Sequence, residues 1–328
     1  MAAPIELWRT VMSSAPIRSG CKPLDLRFLF PGGRQALTAC LFEAGLTRNS
    51  RVAFPEWSSH CVLSALGKCA TPVPMAEVVQ HGIKIDALMF YEQWGWPFPK
   101  PAWDDVNALS RGAAVIVDRV DSATPTAYHC SSENIFEVAS LSKLLGLPGG
   151  GLGKKNGSYL DFKPGRLTTF TKVLRDEFGP RIRDVQEYKD HFKSSDQAVN
   201  PAVLRWVSEN CLDCALDEEG RARRLNLELV IESPLSVNWP GWMAEAVRVG
   251  ATPGIAPILR GGSPNKMRTM MGLLGERFQT QSAIYNFNWS GNPVRPSYEP
   301  CLAVPVHGMV RNLEEILREI GRNKSMPG

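Results

Sequence analysis

The sequence predicts an α/β fold, a mostly parallel sheet sandwiched by helices and followed by a small α+β domain at the C-terminal end. Three observations carry this. Short apolar strand candidates alternate with helical stretches through the first half of the chain. The alternation weakens around Gly157 and gives way to a charged, helical region. Strand-like runs return from residue 254 onward, ahead of a final amphipathic helix. With 328 residues, 44% of them hydrophobic, the chain can fill one large domain and a smaller one.

Residues Gly33 to Gly45 form the first predicted helix. Ala36, Leu37, Cys40, Leu41 and Ala44 share one face, Pro31-Gly32-Gly33 opens it and Gly45 closes it. Arg51 to Pro55 follows as a strand, Ser59 to Leu66 as a helix, and Thr71 to Met75 and Ala87 to Tyr91 as strands. Asp104 to Leu109 is a short helix and Ala113 to Val117 a buried strand. Arg166 to about Glu232 is helical, and its charged run Asp217 to Arg224 is expected to face solvent. Gly254 to Leu259 and Cys301 to Pro305 are strands, and Val310 to Ile320 is a helix with Leu313, Ile316, Leu317 and Ile320 on one side. The expected division is a large α/β domain over 1–165, a connecting helical region over 166–235 and a small α+β domain over 236–328.

The 37 Lys and Arg against 33 Asp and Glu leave a net charge of +4 without a basic stripe, so no nucleic-acid partner is expected. The longest apolar runs, such as Gly112 to Asp118, are strand-length, and the N-terminus carries no export pattern, so no membrane association and a cytoplasmic location are expected. The scattered cysteines are expected as free, mostly buried thiols. Cys211-Leu-Asp-Cys214 has a metal-like spacing, but one pair cannot complete a tetrahedral site, and no metal is expected.

Chemistry concentrates at three places. At Gly32-Gly33-Arg34-Gln35-Ala36-Leu37 a glycine pair meets a helix start, where free N–H groups and the helix dipole favour phosphate; a tight turn alone would also explain the glycines. Val115-Ile-Val-Asp118 ends a strand in a carboxylate, where a parallel sheet places its ligand crevice; capping of the next turn is the alternative. Ala139-Ser-Leu-Ser-Lys143 precedes a turn containing Gly149, Gly150 and Gly151, which would let a flat ring and its phosphate approach the backbone. Lysine in isolation is more often a surface residue.

In this order, with Lys143 25 positions after Asp118, these features resemble the fold-type I enzymes that use pyridoxal 5′-phosphate (PLP), and within them the DegT/StrS sugar aminotransferases. Gly33, Ala36 and Leu37 match that family's Ser-Gly-Thr-x-Ala-Leu turn. Thr71-Pro-Val is similar to its Gly-x-x-Pro-Val strand, and Tyr91-Glu-Gln-Trp-Gly95-Trp-Pro97 to its Val-His-Leu-Tyr-Gly-x-Pro segment. Val117-Asp118-Arg119-Val120-Asp121 stands where the family has Glu-Asp-Ala-Ala-Gln/His, and Cys301-Leu-Ala-Val-Pro305-Val-His307 resembles its Leu-x-Leu-Pro-x-His stretch.

The resemblance implies a PLP-transferase fold in which 1–165 is the PLP-binding domain. Lys143 becomes the Schiff-base lysine and proton shuttle, Asp118 the partner of the pyridinium nitrogen, and Gly33, Arg34 and Gln35 the phosphate turn. Ser140 and Ser142 are expected near the phosphate or as turn caps, and Trp57 on the ring, with His60 as the alternative. Asp121 replaces the Gln or His at the ring hydroxyl, Arg119 replaces a small residue, and Trp94 and Trp96 serve either as a flat ligand surface or as packing. The family's Asn-Tyr-Arg stretch is not recognisable; Phe192 to Asp196 falls near its place.

The implied activity is transfer of an amino group from an amino acid to a keto sugar, nucleotide-linked or similar, by a homodimer. Other PLP chemistry such as racemisation, elimination or decarboxylation remains open, as does a non-catalytic descendant that binds a ligand. A nucleotide-binding α/β enzyme is disfavoured because no Gly-x-Gly-x-x-Gly follows a strand.

Overall fold

Two sheets organise the chain, which the computed structural model describes over residues 23–123, 130–162 and 198–324. The larger sheet holds β1 (Arg51–Phe54), β2 (Thr71–Pro74), β3 (Ala87–Tyr91), β4 (Ala114–Asp118), β5 (Ile135–Ser140), β6 (Gly151–Lys155) and β7 (Ser158–Tyr159), in the spatial order β2-β1-β3-β4-β5-β6-β7. The first five pair in parallel, and β6 and β7 join antiparallel at one edge. The helices of this part are α1 (Gly33–Glu43), α2 (His60–Cys69), α3 (Met75–His81), α4 (Lys100–Leu109) and α5 (Leu141–Leu145).

The central strands are apolar on both faces because both faces are covered. Side chains alternate along a strand, so odd and even residues sort into different cores. Ala87, Met89 and Ile116 pack with Leu37 and Leu41 of α1 and Leu66 of α2. Leu88, Phe90, Val115 and Val117 pack on the other side with Val78 of α3 and Trp103 and Val106 of α4. This is the mostly parallel, helix-sandwiched sheet that the sequence predicts.

Beyond residue 197, α6 (Pro201–Glu209) and α7 (Leu212–Glu232) lead to α8 (Gly241–Arg248), β8 (Ile255–Ile258), α9 (Pro264–Phe278), β9 (Ala283–Asn288), β10 (Tyr298–Pro305) and α10 (Leu313–Lys324). The last three strands form a separate antiparallel sheet in the order β8-β10-β9, which forms the α+β layer with α9 and α10. The 21-residue α7 serves both parts. Leu212 and Ala215 pack with Leu144 and Val203 near the large sheet, whereas Leu227 and Val230 belong to the core of the small one.

Several details correct the sequence reading. The hairpin β6–β7 turns at Asn156-Gly157, both at positive φ, where the sequence pattern predicts that strand alternation weakens. The charged run in α7 is not uniformly solvated: Glu219 and Arg223 are 1% and 2% exposed and pair with each other, Arg223 Nε donating to Glu219 Oε1 at 2.8 Å. Cys211 caps α7, its Sγ accepting the Cys214 N–H at 3.3 Å. Of the described cysteines, all free, Cys40, Cys69, Cys211 and Cys301 are buried and Cys61, Cys130 and Cys214 half-buried. No described helix is long and apolar enough to cross a membrane. The expected helical segment from Arg166 to residue 197, with Phe192 to Asp196, lies outside the described residues.

Candidate active site

The carboxyl ends of β1, β3, β4 and β5 meet the start of α1 around one depression, where an open parallel sheet offers its ligand crevice. Asp118 ends β4, in register with Tyr91 at the end of β3. Its carboxylate is buried and accepts the Val120 N–H at 3.1 Å. Burial raises its pKa from the ordinary 3.8 to about 6, against the lowering influence of the Lys143 ammonium and of the Val120 hydrogen bond.

Lys143 stands in α5, a short helix entered directly from β5 and stopped by Gly146 in the left-handed conformation. Its Nζ lies 3.4 Å from Asp121 Oδ1. Burial alone would push the Lys143 pKa down, but the Asp121 and Asp118 carboxylates outweigh it and the net displacement is upward.

Helix α1 opens on Gly32, an extended residue that offers no capping side chain. Its first-turn N–H groups therefore lie outside the helical ladder, at the positive end of the dipole. Gly33, Arg34 and Gln35 line a cleft of ≈ 450 Å³ together with Asp118, Ser140, Ser142 and Lys143. The two serine hydroxyls are 2.9 Å apart. A Cβ on Gly33 would sit 3.3 Å from Ser140 Cβ and 3.4 Å from Val120 Cγ1, so the glycine keeps this mouth open.

The glycines after the lysine divide their work. Gly149, at φ 122°, lines the cleft. Gly150 and Gly151 instead carry the α1 turn: Gly150 N donates to Pro31 O at 2.9 Å, and Gly151 N donates to Phe30 O at 3.0 Å. A Cβ on Gly151 would fall 2.3 Å from the Gly32 carbonyl, so only glycine permits this approach.

A second cleft, ≈ 490 Å³, shares Asp118, Val120 and Lys143 with the first. Its outer wall combines Trp57 after β1, Trp94 after β3, and Tyr285 and Asn286 of β9. Asp118 and Lys143 thus stand between a helix N-terminus on one side and an aromatic wall on the other.

A family model described as "Putative PLP-dependent aminotransferase" matches residues 17–220. The chain belongs to this family of PLP-dependent aminotransferases. No curated protein matches the sequence. Solved structures share the fold at low identity. NtdA from Bacillus subtilis with bound cofactor PMP has a TM-score of 0.56 and 11% identity, covering 91% of this chain and 73% of that one. A DegT DnrJ EryC1 StrS aminotransferase from Brucella abortus gives 0.55 and 15%, covering 91% and 86%. The aminotransferase TlmJ from Streptoalloteichus hindustanus gives 0.54 and 15%, covering 90% and 85%.

In this aminotransferase, Gly33, Arg34, Gln35, Asp118, Ser140, Ser142 and Lys143 come together as the sequence suggests. Asp121 and Trp57 line the adjoining cleft. Trp57 is 52% exposed, its ring edge-on to Tyr298 and its carbonyl accepting the Tyr91 hydroxyl at 3.3 Å. His60 does not join them: it is exposed, and its neighbours Ser59, Cys61 and Val62 line the cleft in its place, because α2 starts there and turns His60 outward. Arg119 is buried, with Nε on Glu92 at 3.0 Å and Nη1 on Glu137 at 3.3 Å. Trp96 is packing, its Nε1 donating to Ile255 O at 2.9 Å among Trp239 and Trp242. Trp94 both stacks on Phe287 and lines the second cleft.

Among the described residues, no cluster of His, Cys, Asp or Glu is placed to hold a metal ion. The sequence reading passed over Gln93 and the β9 residues Ile284 to Asn286, which line the second cleft. Gln93 was accessible to the rule that strand carboxyl ends face the crevice, since it follows β3 as Asp118 ends β4. Nothing in the sequence of β9 announces that it folds back over the large sheet.

Proposed function

We propose that this aminotransferase moves an amino group from an amino acid to a keto sugar, nucleotide-linked or of similar polarity, with Lys143 as the residue that holds PLP. The observation that carries the reading is the convergence of an uncapped helix N-terminus, a buried strand-end carboxylate and a cleft-facing lysine on one contiguous space. These residues fit the cofactor's parts. The start of α1, with Ser140 and Ser142, suits a phosphate dianion. The glycine at position 33 leaves the opening that a Cβ would narrow.

PLP, when bound, supplies an electron sink for negative charge developing at a substrate carbon. The chain's own residues do the rest. Asp118, ionised above its pKa of about 6, favours a proton on a ring nitrogen placed beside it. Lys143 Nζ holds a proton against Asp121 and, once released from the cofactor, is placed to move one between adjacent carbons. The aromatic wall of Trp57, Trp94 and Tyr285, with the side chain of Asn286, supports a hydroxylated ring as acceptor, while the Gln93 amide holds β9 in place, donating to Asn286 O at 2.8 Å and accepting the Asn288 N–H at 3.0 Å. We also propose a homodimer and the division at 165 and 235.

The test is the absorption spectrum of the purified protein with added PLP, before and after borohydride, with peptide mapping. A visible band that borohydride bleaches, leaving the cofactor covalently attached to the Lys143 peptide, with neither result in Lys143→Ala, is expected. Its absence from the wild type would end this assignment. The Asp121 carboxylate beside Lys143 supports a second reading, another PLP reaction such as racemisation or elimination. A single-turnover assay separates the two. Stoichiometric keto acid from an amino donor marks transamination, whereas donor racemised or cleaved marks the alternative.

A further inference from the structure

The buried pair in α7 meets the active site through the main chain. Arg223 is 2% exposed, and its guanidinium is used on three sides. Nε donates to Glu219 Oε1 at 2.8 Å, and Nη1 donates to Asp121 O at 2.7 Å and to Thr252 O at 3.2 Å. Gly254 lies flat against it: a Cβ there would be 3.1 Å from Nη1. Glu219 Oε1 also accepts the Gly308 N–H at 3.2 Å. The Arg223–Glu219 pair thus joins the loop after β4 to two loops of the C-terminal layer, Arg223 reaching the one before β8 and Glu219 the one after β10.

Asp121 is held from the opposite side as well. Gly95, at φ 88°, approaches so closely that a Cβ would sit 2.6 Å from Asp121 O. With its carbonyl fixed between Arg223 and Gly95, the main chain of Asp121 has little freedom to turn, and its buried Oδ1 lies 3.4 Å from Lys143 Nζ. Asp118, from β4, and Cys61, from α2, also act on the lysine, and Glu92, after β3, lines the same cleft.

We propose that Arg223 is a positioning residue for the active-site lysine: by clamping the Asp121 carbonyl it fixes the Asp121 carboxylate against Lys143, and it ties that contact to the seating of the C-terminal layer. The inference rests on Lys143 being the cofactor lysine. The physical logic is that a planar guanidinium satisfies several fixed acceptors at once, which an ammonium on a flexible stem does less well. Asp121 acts on the lysine by charge, so its placement sets how tightly Nζ keeps its proton.

The test uses the full-length protein without cofactor. Lysines are reductively methylated with 13C-formaldehyde, the Lys143 methyl signal is assigned with Lys143→Arg, and its chemical shift is followed against pH. Asp121→Asn is expected to lower the titration midpoint of Lys143. Arg223→Met, shown folded by circular dichroism, is expected to lower it in the same direction, and Arg223→Lys to fall between Arg223→Met and the wild type. A wild-type midpoint in folded Arg223→Met, or no movement in Asp121→Asn, would overturn the proposal. Should Arg223→Met not fold, Arg223→Lys decides: a midpoint between those of the wild type and Asp121→Asn supports the proposal, and a wild-type midpoint overturns it. Failure of the cofactor assignment would register separately, as a wild type that forms no visible band with PLP.

Discussion

Replacing Asp118 by Asn should make the cofactor-free protein more stable while impairing its use of PLP. The carboxylate is buried at the end of β4, and burial raises its pKa from 3.8 to about 6. At about 1.36 kcal/mol per pKa unit, that displacement corresponds to ~3 kcal/mol against the ionised form in the folded state. The sign follows from the proton count. Below about pH 4 the folded and unfolded chains both carry the proton and there is no penalty; above about pH 6 both have lost it and the penalty is complete. Asparagine keeps an oxygen to accept the Val120 N–H and carries no charge. Urea unfolding of both proteins, stripped of cofactor, at pH 8, 6 and 4.5 measures the difference. The variant should be more stable at pH 8 by an amount of that order, and the gap should close toward pH 4.5. A variant less stable than the wild type at pH 8, or a gap that does not change with pH, would refute the assignment of burial as the dominant force on Asp118.

Gly95→Ala should destabilise the fold by roughly 2–3 kcal/mol in the same assay, since a methyl at φ 88° would meet the Asp121 carbonyl at 2.6 Å. Arg223→Met alone should cost about 3–5 kcal/mol by leaving Glu219 buried and uncompensated, whereas pairing it with Glu219→Leu should recover much of the loss; thermal unfolding of the three proteins checks this. Trp57→Ala should change stability by less than about 0.5 kcal/mol, because the ring is half in solvent, yet raise KM for the acceptor in steady-state kinetics.

The legible part of the fold was the part whose signals are local. β3 lies where its apolar run predicts, and α1 begins at the glycine pair that suggested it. Asp118, Lys143 and the α1 turn could be paired because a parallel sheet delivers strand ends to a common crevice. What escaped was relational. Glu219 and Arg223 are spaced four apart on a helix, the same pattern a solvated surface pair would show, and only the layer packed over them makes them interior. Asn156-Gly157 is a hairpin-type dipeptide, but β7 after it is only two residues long and leaves no alternating run to mark a second strand. His60 and Trp57 straddle the start of α2, where a shift of one residue changes which side chain faces the cleft.

Helix α7 carries a consequence for how this chain can change length. Its first turns are in phase with the core around α5 and its last turns with the core of the small sheet, separated by rigid helix. Inserting or deleting one residue between Ala215 and Leu227 would rotate one end against the other by about 100°. One of the two cores would lose its α7 side chains, and Arg223 could no longer reach both Asp121 O and Thr252 O. Length variation among close relatives should therefore be found before Leu212 or after Glu232, with the interval between held constant like the shaft joining two gears.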